Sequence, residues 1–178
     1  MGTGMRIIAI AGACVALAST ICAAEGADAP AALRNKTISV AYVATVNAVS
    51  DRGTRSNPRN VSQTIYISTQ GRVFLKRIGS HRADSLTEHG APEQTAGHFR
   101  FEGNRLIGAR KQLGGGASEI VISFDPGFQS CTASVHFGRE NGRPYQYRGL
   151  HGELFTATGV PTTSTPTCSI REGNAFAQ

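Results

Sequence analysis

The stretch SEIVISFDPGFQSCTASVHF, residues 118–137, decides the fold class. Apolar and polar residues alternate on both sides of its centre, which is the period-two pattern of a β-strand with one buried face. Asp125-Pro126-Gly127 separates the two halves and is typical of a turn. The sequence therefore predicts a β-hairpin. Its inward-facing residues are Ile120, Ile122, Phe124, Cys131, Ala133, Val135 and Phe137.

The same design recurs along the rest of the chain. Gln70-Gly71 and Gly103-Asn104 each interrupt an alternating run, and such dipeptides suit the tight turn of a hairpin. The first strand places Ile38 and Val40 on one face. Further strands are predicted within 36–49, 61–78, 98–113, 143–149 and 167–174.

The count of strands predicts an all-β protein. About eight strands follow one another without a convincing amphipathic helix. Consecutive antiparallel neighbours form an up-and-down meander, which closes most simply into a barrel or barrel-like sheet; a two-sheet β-sandwich is the alternative. Three longer connections are expected, at 49–60, 79–97 and 150–166.

The first 24 residues have the layout of a secretory signal peptide. Arg6 is their only charged residue, and IIAIAGACVAL (7–17) is apolar. This run is shorter than the roughly 20 residues that a membrane span needs. Small residues at Cys22 and Ala24 suit cleavage after Ala24.

This N-terminus sets the expected division of the chain and its location. We predict a signal peptide at 1–24, a flexible lead-in at 25–34 and a single β domain at 35–178. Removal of the signal leaves enough residues for one domain with its own core. No transmembrane span is expected in the remaining chain. The expected location is periplasmic or secreted.

The cysteines follow the same division. Cys14 and Cys22 lie in the predicted signal peptide, so Cys131 and Cys168 remain. Pairing is the default in an oxidising compartment. Both thiols fall on apolar strand faces, which disfavours a reactive thiolate, and neither has a Cys or His neighbour at metal-ligand spacing. We predict a disulfide that closes a loop of about 38 residues and contributes roughly 4 kcal/mol, with unpaired buried thiols as the alternative.

The segment GRPYQYRGLH (142–151) has the side chains most suggestive of binding. Aromatic rings stack on sugars and apolar ligands, and arginine forks bind carboxylate or phosphate. The alternative is an ordinary strand with its tyrosines packed on the core and its arginine in solvent. The candidate binding residues are Arg143, Tyr145, Tyr147, Arg148 and His151.

The charge balance is basic, with a formal net charge of +6. Such a balance suits anionic partners such as lipid headgroups or an acidic polysaccharide. Nucleic acid is not expected, because the chain is predicted to be exported and has no basic run of five or more residues. Arg52, Arg55 and Arg59 fall in the predicted 49–60 connection and are interpreted as a solvated charge set.

No recognised catalytic or metal-binding motif is present. The five histidines do not form H-x-H or H-E-x-x-H. His81 and His89, with Asp84 and Glu88, come nearest to an acid–base or metal site, within the predicted 79–97 connection. We therefore predict neither enzymatic activity nor a cofactor nor a metal, and this loop remains the basis of the enzyme alternative.

The order LRNKTISVAY … YISTQGRVFLKR … CSIREGN resembles small exported bacterial β-proteins to which no function is assigned. The likeness covers most of the chain after residue 24 and rests on strand rhythm and turn placement. In outline the architecture is also similar to lipocalin-like barrels, which implies a ligand cavity. The Gly-x-Trp signature of true lipocalins is missing, because the chain has no Trp, so no residue role is carried over.

These observations predict an exported, non-enzymatic binding protein. Its ligand is expected to be a small apolar or amphiphilic molecule held inside a barrel, or an anionic envelope component held on a basic face. The alternative is a structural or interaction protein of the cell envelope with a filled core.

Overall fold

A computed structural model of the chain describes residues 29–81, 87–89, 93–94, 99–112, 116–139, 146–149 and 151–177. These residues are mostly antiparallel β-structure, so the predicted fold class is confirmed. The predicted signal peptide, 1–24, lies outside the described residues. The strands are β1 Lys36–Ser50, β2 Gly53–Ile67, β3 Val73–His81, β4 Thr87–His89, β5 Glu93–Gln94, β6 Phe99–Glu102, β7 Arg105–Gln112, β8 Gly116–Phe124, β9 Cys131–Arg139, β10 Gln146–Arg148, β11 Leu154–Ala157, β12 Thr162–Thr163 and β13 Thr167–Glu172.

The strands form two sheets. Sheet A curls into a half-barrel with the order β10-β11-β1-β2-β3-β4, and β12 and β13 also pair with β1 while β5 pairs with β3. Sheet B has the order β6-β7-β8-β9. The predicted meander is therefore found twice, in β1 to β4 and in β6 to β9. The last quarter of the chain instead returns to β1, which is bordered by β2 on one side and by β11, β12 and β13 on the other.

The predicted connection at 49–60 is wrong, because most of it is strand. The β1–β2 register runs without interruption from Lys36↔Ile67 to Ser50↔Gly53, so only two residues form the turn. Pro58 is compatible with this register. Counting from the two-residue turn, it lies at a non-hydrogen-bonded position of the β1 ladder, where a strand N–H points away from β1. The described pairing with β3 ends next to it, at Arg59.

The other two predicted connections also contain strand. Within 150–166, β11 and β12 pair with β1 in the registers Ala48↔Ala157 and Ala44↔Thr163. Within 79–97, β3 extends to His81, and the short strands β4 and β5 pair with it. No local pattern marks β4, β5 and β12, because strands of two or three residues are too short to show an alternation.

The core lies between sheet B and one side of sheet A, here named the inner face. The inner face carries Ile38, Val40 and Ile65, all fully buried. Sheet B contributes Leu106 and Ile122, also fully buried, and the buried rings of its aromatic residues. The alternation predicted for these strands is thereby confirmed at the level of burial.

The chain before β1 packs on this core. Residues Ala31–Leu33 form a short 3-10 helix, and Leu33 and Ala29 are buried in the core cluster. These residues belong to the segment predicted as a flexible lead-in, so its described part is held by apolar packing. None of the helices in the described part of the chain has the length and apolar character that a membrane span requires.

The predicted disulfide is confirmed. Cys131 in β9 is bonded to Cys168 in β13, with 5.6 Å between their Cα atoms. Both side chains are half-buried against the core cluster. Because β9 belongs to sheet B and β13 to sheet A, the bond joins the two sheets covalently.

The predicted turns form around the expected residues. Gly71 and Gly103 have φ values of 80° and 59°, which a residue with a side chain rarely adopts. The connection between β8 and β9 is organised by Asp125, whose carboxylate accepts hydrogen bonds from the backbone N–H groups of Gly127, Gln129 and Ser130. The Ser130 N–H contributes most to lowering the pKa of Asp125 below its ordinary value. The ionised carboxylate of Asp125 therefore stabilises the turn of this hairpin.

Candidate functional site

The inner face of sheet A continues beyond the main core, and there it becomes basic along β2. Side chains alternate along a strand, so Arg55, Asn57 and Arg59 share the face of Val61 and Ile65. Arg59 and Asn57 are half-buried, whereas Arg55 is exposed. The interpretation of Arg52, Arg55 and Arg59 as a solvated charge set is therefore wrong for Arg59, which is half-buried in a paired strand and has a buried Nε.

Arg59 is the most unusual of these side chains. It lies opposite Ala44 in β1, which is buried and offers no polar atom from its side chain. Its Nε is buried, and among the described residues it has no hydrogen-bond partner. A buried donor without an acceptor costs roughly 1–3 kcal/mol. The arrangement therefore leaves a buried, charged and directional donor unsatisfied within the described residues.

An apolar strip runs beside this basic strand. In β1 it consists of Ala44, Val46 and Ala48, and in β11 of Phe155 and Ala157, all of them buried. Ala48 and Ala157 face each other in the register between β1 and β11. Most of this strip lies outside the core cluster that sheets A and B share. Sheet A thus has a second buried apolar cluster, with basic side chains of β2 along one edge.

The strip residue Phe155 is stacked on a second aromatic ring. The rings of Tyr147 in β10 and Phe155 in β11 have centroids 5.2 Å apart and planes at 15°. The guanidinium carbon of Arg55 lies 5.4 Å from the centroid of Phe155, within cation–π range. The side-chain amide of Asn57 donates a hydrogen bond to the Tyr147 hydroxyl. These contacts bring β2 and β10 together although they are far apart in sequence.

The structure separates the predicted binding residues. Tyr147 joins the aromatic pair on the inner face, whereas Arg148 is exposed and its Nη1 donates to the carbonyl oxygen of Gly152 at 3.1 Å. His151 is exposed in the turn between β10 and β11. The other two predicted residues, Arg143 and Tyr145, lie outside the described residues.

A buried carboxylate lies next to the site. Glu153 is 9% exposed, and its Oε1 lies 3.3 Å from Nη1 of Arg52. A hydrogen bond from its own backbone N–H, followed by the charges of Arg52, His151 and Arg55, lowers the pKa of this carboxyl group, against partial desolvation. Glu153 is therefore ionised at neutral pH and is paired with Arg52.

For the alternative site at His81 and His89, the structure describes the backbone register alone. Asp84 lies outside the described residues, and the backbone register places His81 opposite Arg59 and His89 opposite Ile78. Within the part of the chain that is described, no group of three or more His, Cys, Asp or Glu residues is arranged to hold a metal ion.

The basic part of the site was missed because it looks like a loop in sequence. The residues GTRSNPRN (53–60) are polar on both strand faces, and Pro58 usually argues against a strand. No apolar alternation marks this stretch, because Arg55, Asn57 and Arg59 continue the face of Val61 and Ile65 with polar side chains. Comparisons of the chain with protein-family models, with curated proteins and with solved structures found no match.

Proposed function

We propose that this chain is an exported, non-enzymatic binding protein whose ligand is a small amphiphilic molecule held on the inner face of sheet A. The observation that carries the proposal is the apolar strip of β1 and β11 alongside the basic residues of β2. An amphiphile needs both kinds of surface within one molecular length. Ligand sites in proteins commonly combine an apolar lining with a few placed polar groups.

The dimensions of the strip suit such a ligand. Alternate residues of a strand lie roughly 6.7 Å apart, so the strip from Ala44 to Ala48 extends about 13 Å. Arg55 and Arg59 lie on the next strand, about 4.8 Å away, in the registers Ala48↔Arg55 and Ala44↔Arg59. A chain of roughly ten carbon atoms covers this length, with polar contacts available at either end.

Two features support the exported part of the proposal. The N-terminal 24 residues have the composition of a signal peptide. The disulfide between the sheets forms and persists in an oxidising compartment.

Calorimetry with a dodecyl amphiphile tests the proposal. Dodecanoate, below its critical micelle concentration, should bind the oxidised protein with a stoichiometry of about one per chain. Native mass spectrometry of protein secreted by its own host should also show a retained small molecule. The proposal fails if the folded protein binds neither dodecanoate nor any other dodecyl amphiphile.

A pair of variants on one strand locates the binding. Ala44→Leu enlarges a buried side chain on the inner face and should weaken dodecanoate binding about tenfold or more, at a cost in stability of about 1–3 kcal/mol. Ala41→Leu enlarges an exposed side chain on the opposite face of the same strand and should leave binding unchanged. Equal binding by both variants would contradict the assignment of the inner face.

The second candidate function is a structural or interaction role in the cell envelope. The observation that favours it is the filled core between sheets A and B, where apolar side chains of both sheets are fully buried. Under this alternative the arginines serve only to hold the protein on an anionic surface. Retention on anionic envelope material that weakens with salt, without any stoichiometric amphiphile binding, would favour it.

A further inference from the structure

The polar side chains next to the apolar strip differ in whether their hydrogen bonds are satisfied. Gln63 donates to the hydroxyl of Tyr42 at 3.3 Å, and Asn57 donates to the hydroxyl of Tyr147. Arg52 is paired with the Glu153 carboxylate at 3.3 Å. In contrast, the buried Nε of Arg59 has no partner among the described residues.

The guanidinium of Arg59 determines which chemical groups can bind to it. Its guanidinium is charged at all physiological pH values and presents donors in a planar fork. Nε and one terminal nitrogen of that fork match two oxygens of a carboxylate or phosphate. Neither a neutral hydroxyl nor a cation satisfies Nε together with the charge.

We infer that the ligand of the proposed site carries an anionic head, a carboxylate or phosphate, which docks on Arg59 while its apolar tail lies along the strip of β1 and β11. This inference rests on the proposed function and specifies its substrate class. Arg59 faces Ala44, at the end of the strip nearest the main core, so the head lies deep and the tail runs toward Phe155.

Arg55 occupies the other end of the strip. Its guanidinium lies over the Phe155 ring and its side chain is exposed. Arg55 precedes Arg59 by four residues, which corresponds to about 13 Å along the strand. This second cation adds attraction for an incoming anion at the mouth of the site, while the buried head group is bound by Arg59.

A series of ligands with one tail and different heads tests the inference. Dodecanoate and dodecyl phosphate should each bind about 10- to 100-fold more tightly than dodecyl maltoside or dodecyltrimethylammonium, because a charge-assisted hydrogen bond to a buried group is lost in the last two. The comparison of dodecanoate with dodecyl phosphate identifies the preferred anion. Each ligand is used below its critical micelle concentration.

Variants of the arginine make the test specific. Arg59→Gln should weaken dodecanoate binding about tenfold or more and leave dodecyl maltoside binding unchanged, and Arg59→Lys should restore part of the difference. Arg72→Gln is the matched control, since Arg72 is exposed in the turn at the opposite end of β2. Thermal unfolding of each variant shows whether the protein is folded. Removal of an unsatisfied buried donor should not lower the Tm of Arg59→Gln.

The outcomes separate the two proposals. If all four dodecyl ligands bind the wild-type protein equally, the anionic head is wrong and the binding function stands. If none binds, both fail. If Arg59→Gln keeps the full preference for dodecanoate, the head docks elsewhere and the role of Arg59 is wrong.

Discussion

Gly108 in β7 has an aromatic ring over the place where a side chain would stand. It pairs with Phe99 in β6, and a Cβ at Gly108 would lie 2.5 Å from the Cε1 atom of that ring. The ring covers the glycine and is itself buried. At this residue the packing of sheet B depends on the absence of a single methyl group.

Gly108→Ala should therefore destabilise the protein by about 1–3 kcal/mol, because the Phe99 ring must leave its position. Gly138→Ala is the control in β9 of the same sheet, where a Cβ would meet nothing within 4 Å. That change should be neutral or stabilise by about 0.5–1 kcal/mol. Urea unfolding measures both, and equal stabilities of the two variants would contradict the packing described for Phe99.

Glu153 makes stability depend on pH in a defined direction. Its pKa in the folded protein is lowered from 4.5, so the unfolded chain binds a proton more readily than the folded one. The contribution is present above about 4.5 and is lost as the pH falls through the lower pKa of the folded state. Glu153→Gln should lower Tm at pH 7, and its difference from wild type should shrink toward pH 3.

The control for this prediction is Glu102→Gln. Glu102 pairs with Arg100 at 2.8 Å, and both side chains are about half exposed. An exposed pair contributes little, so Tm should change little at any pH. If Glu153→Gln has the same Tm as wild type at pH 7, the pairing with Arg52 does not stabilise the fold.

At the scale of elements, the sequence predicts the hairpins whose two strands both alternate. The hairpin of 118–137 forms with its predicted turn, and so do those at 61–78 and 98–113. Residues 53–60 were missed because a strand that carries Arg55, Asn57 and Arg59 inward has no apolar face to recognise. β11 and β12 were missed because they are short and are stabilised by β1, more than 100 residues earlier. An alternating pattern is visible only where one strand face packs on an apolar core over several residues. The strand of 53–60 has polar residues on both faces, and β11 and β12 are too short to show the pattern.

The disulfide joins strands of different sheets, so its removal should lower the free energy of unfolding. Replacing both cysteines, Cys131→Ser with Cys168→Ser, opens a loop spanning 37 residues and should lower stability by about 4 kcal/mol. Urea unfolding with and without a reductant measures this. The reductant should destabilise the wild type alone and leave the double variant unchanged. A wild-type protein that keeps its stability after both thiols are released would contradict the prediction.

At the scale of the whole molecule, the candidate site is assembled from distant parts of the chain. Asn57 and Tyr147 are 90 residues apart in sequence, and Arg52 and Glu153 are 101 apart. No local pattern joins them, which is why the segment 142–151 was predicted as a site by itself. The fold class followed from alternation alone, whereas the site required the register of β1 with both β2 and β11.

The position of β1 has a consequence for how the protein is made. Among the described strands β1 is the first and lies at the centre of sheet A, yet it pairs with β13, the last of them. Thr37 donates to the carbonyl oxygen of Gly173 across 136 residues. Closing such distant contacts is slow, and none of them exists until the tail has been synthesised. A growing polypeptide of this design therefore cannot complete sheet A until its final strand has left the ribosome.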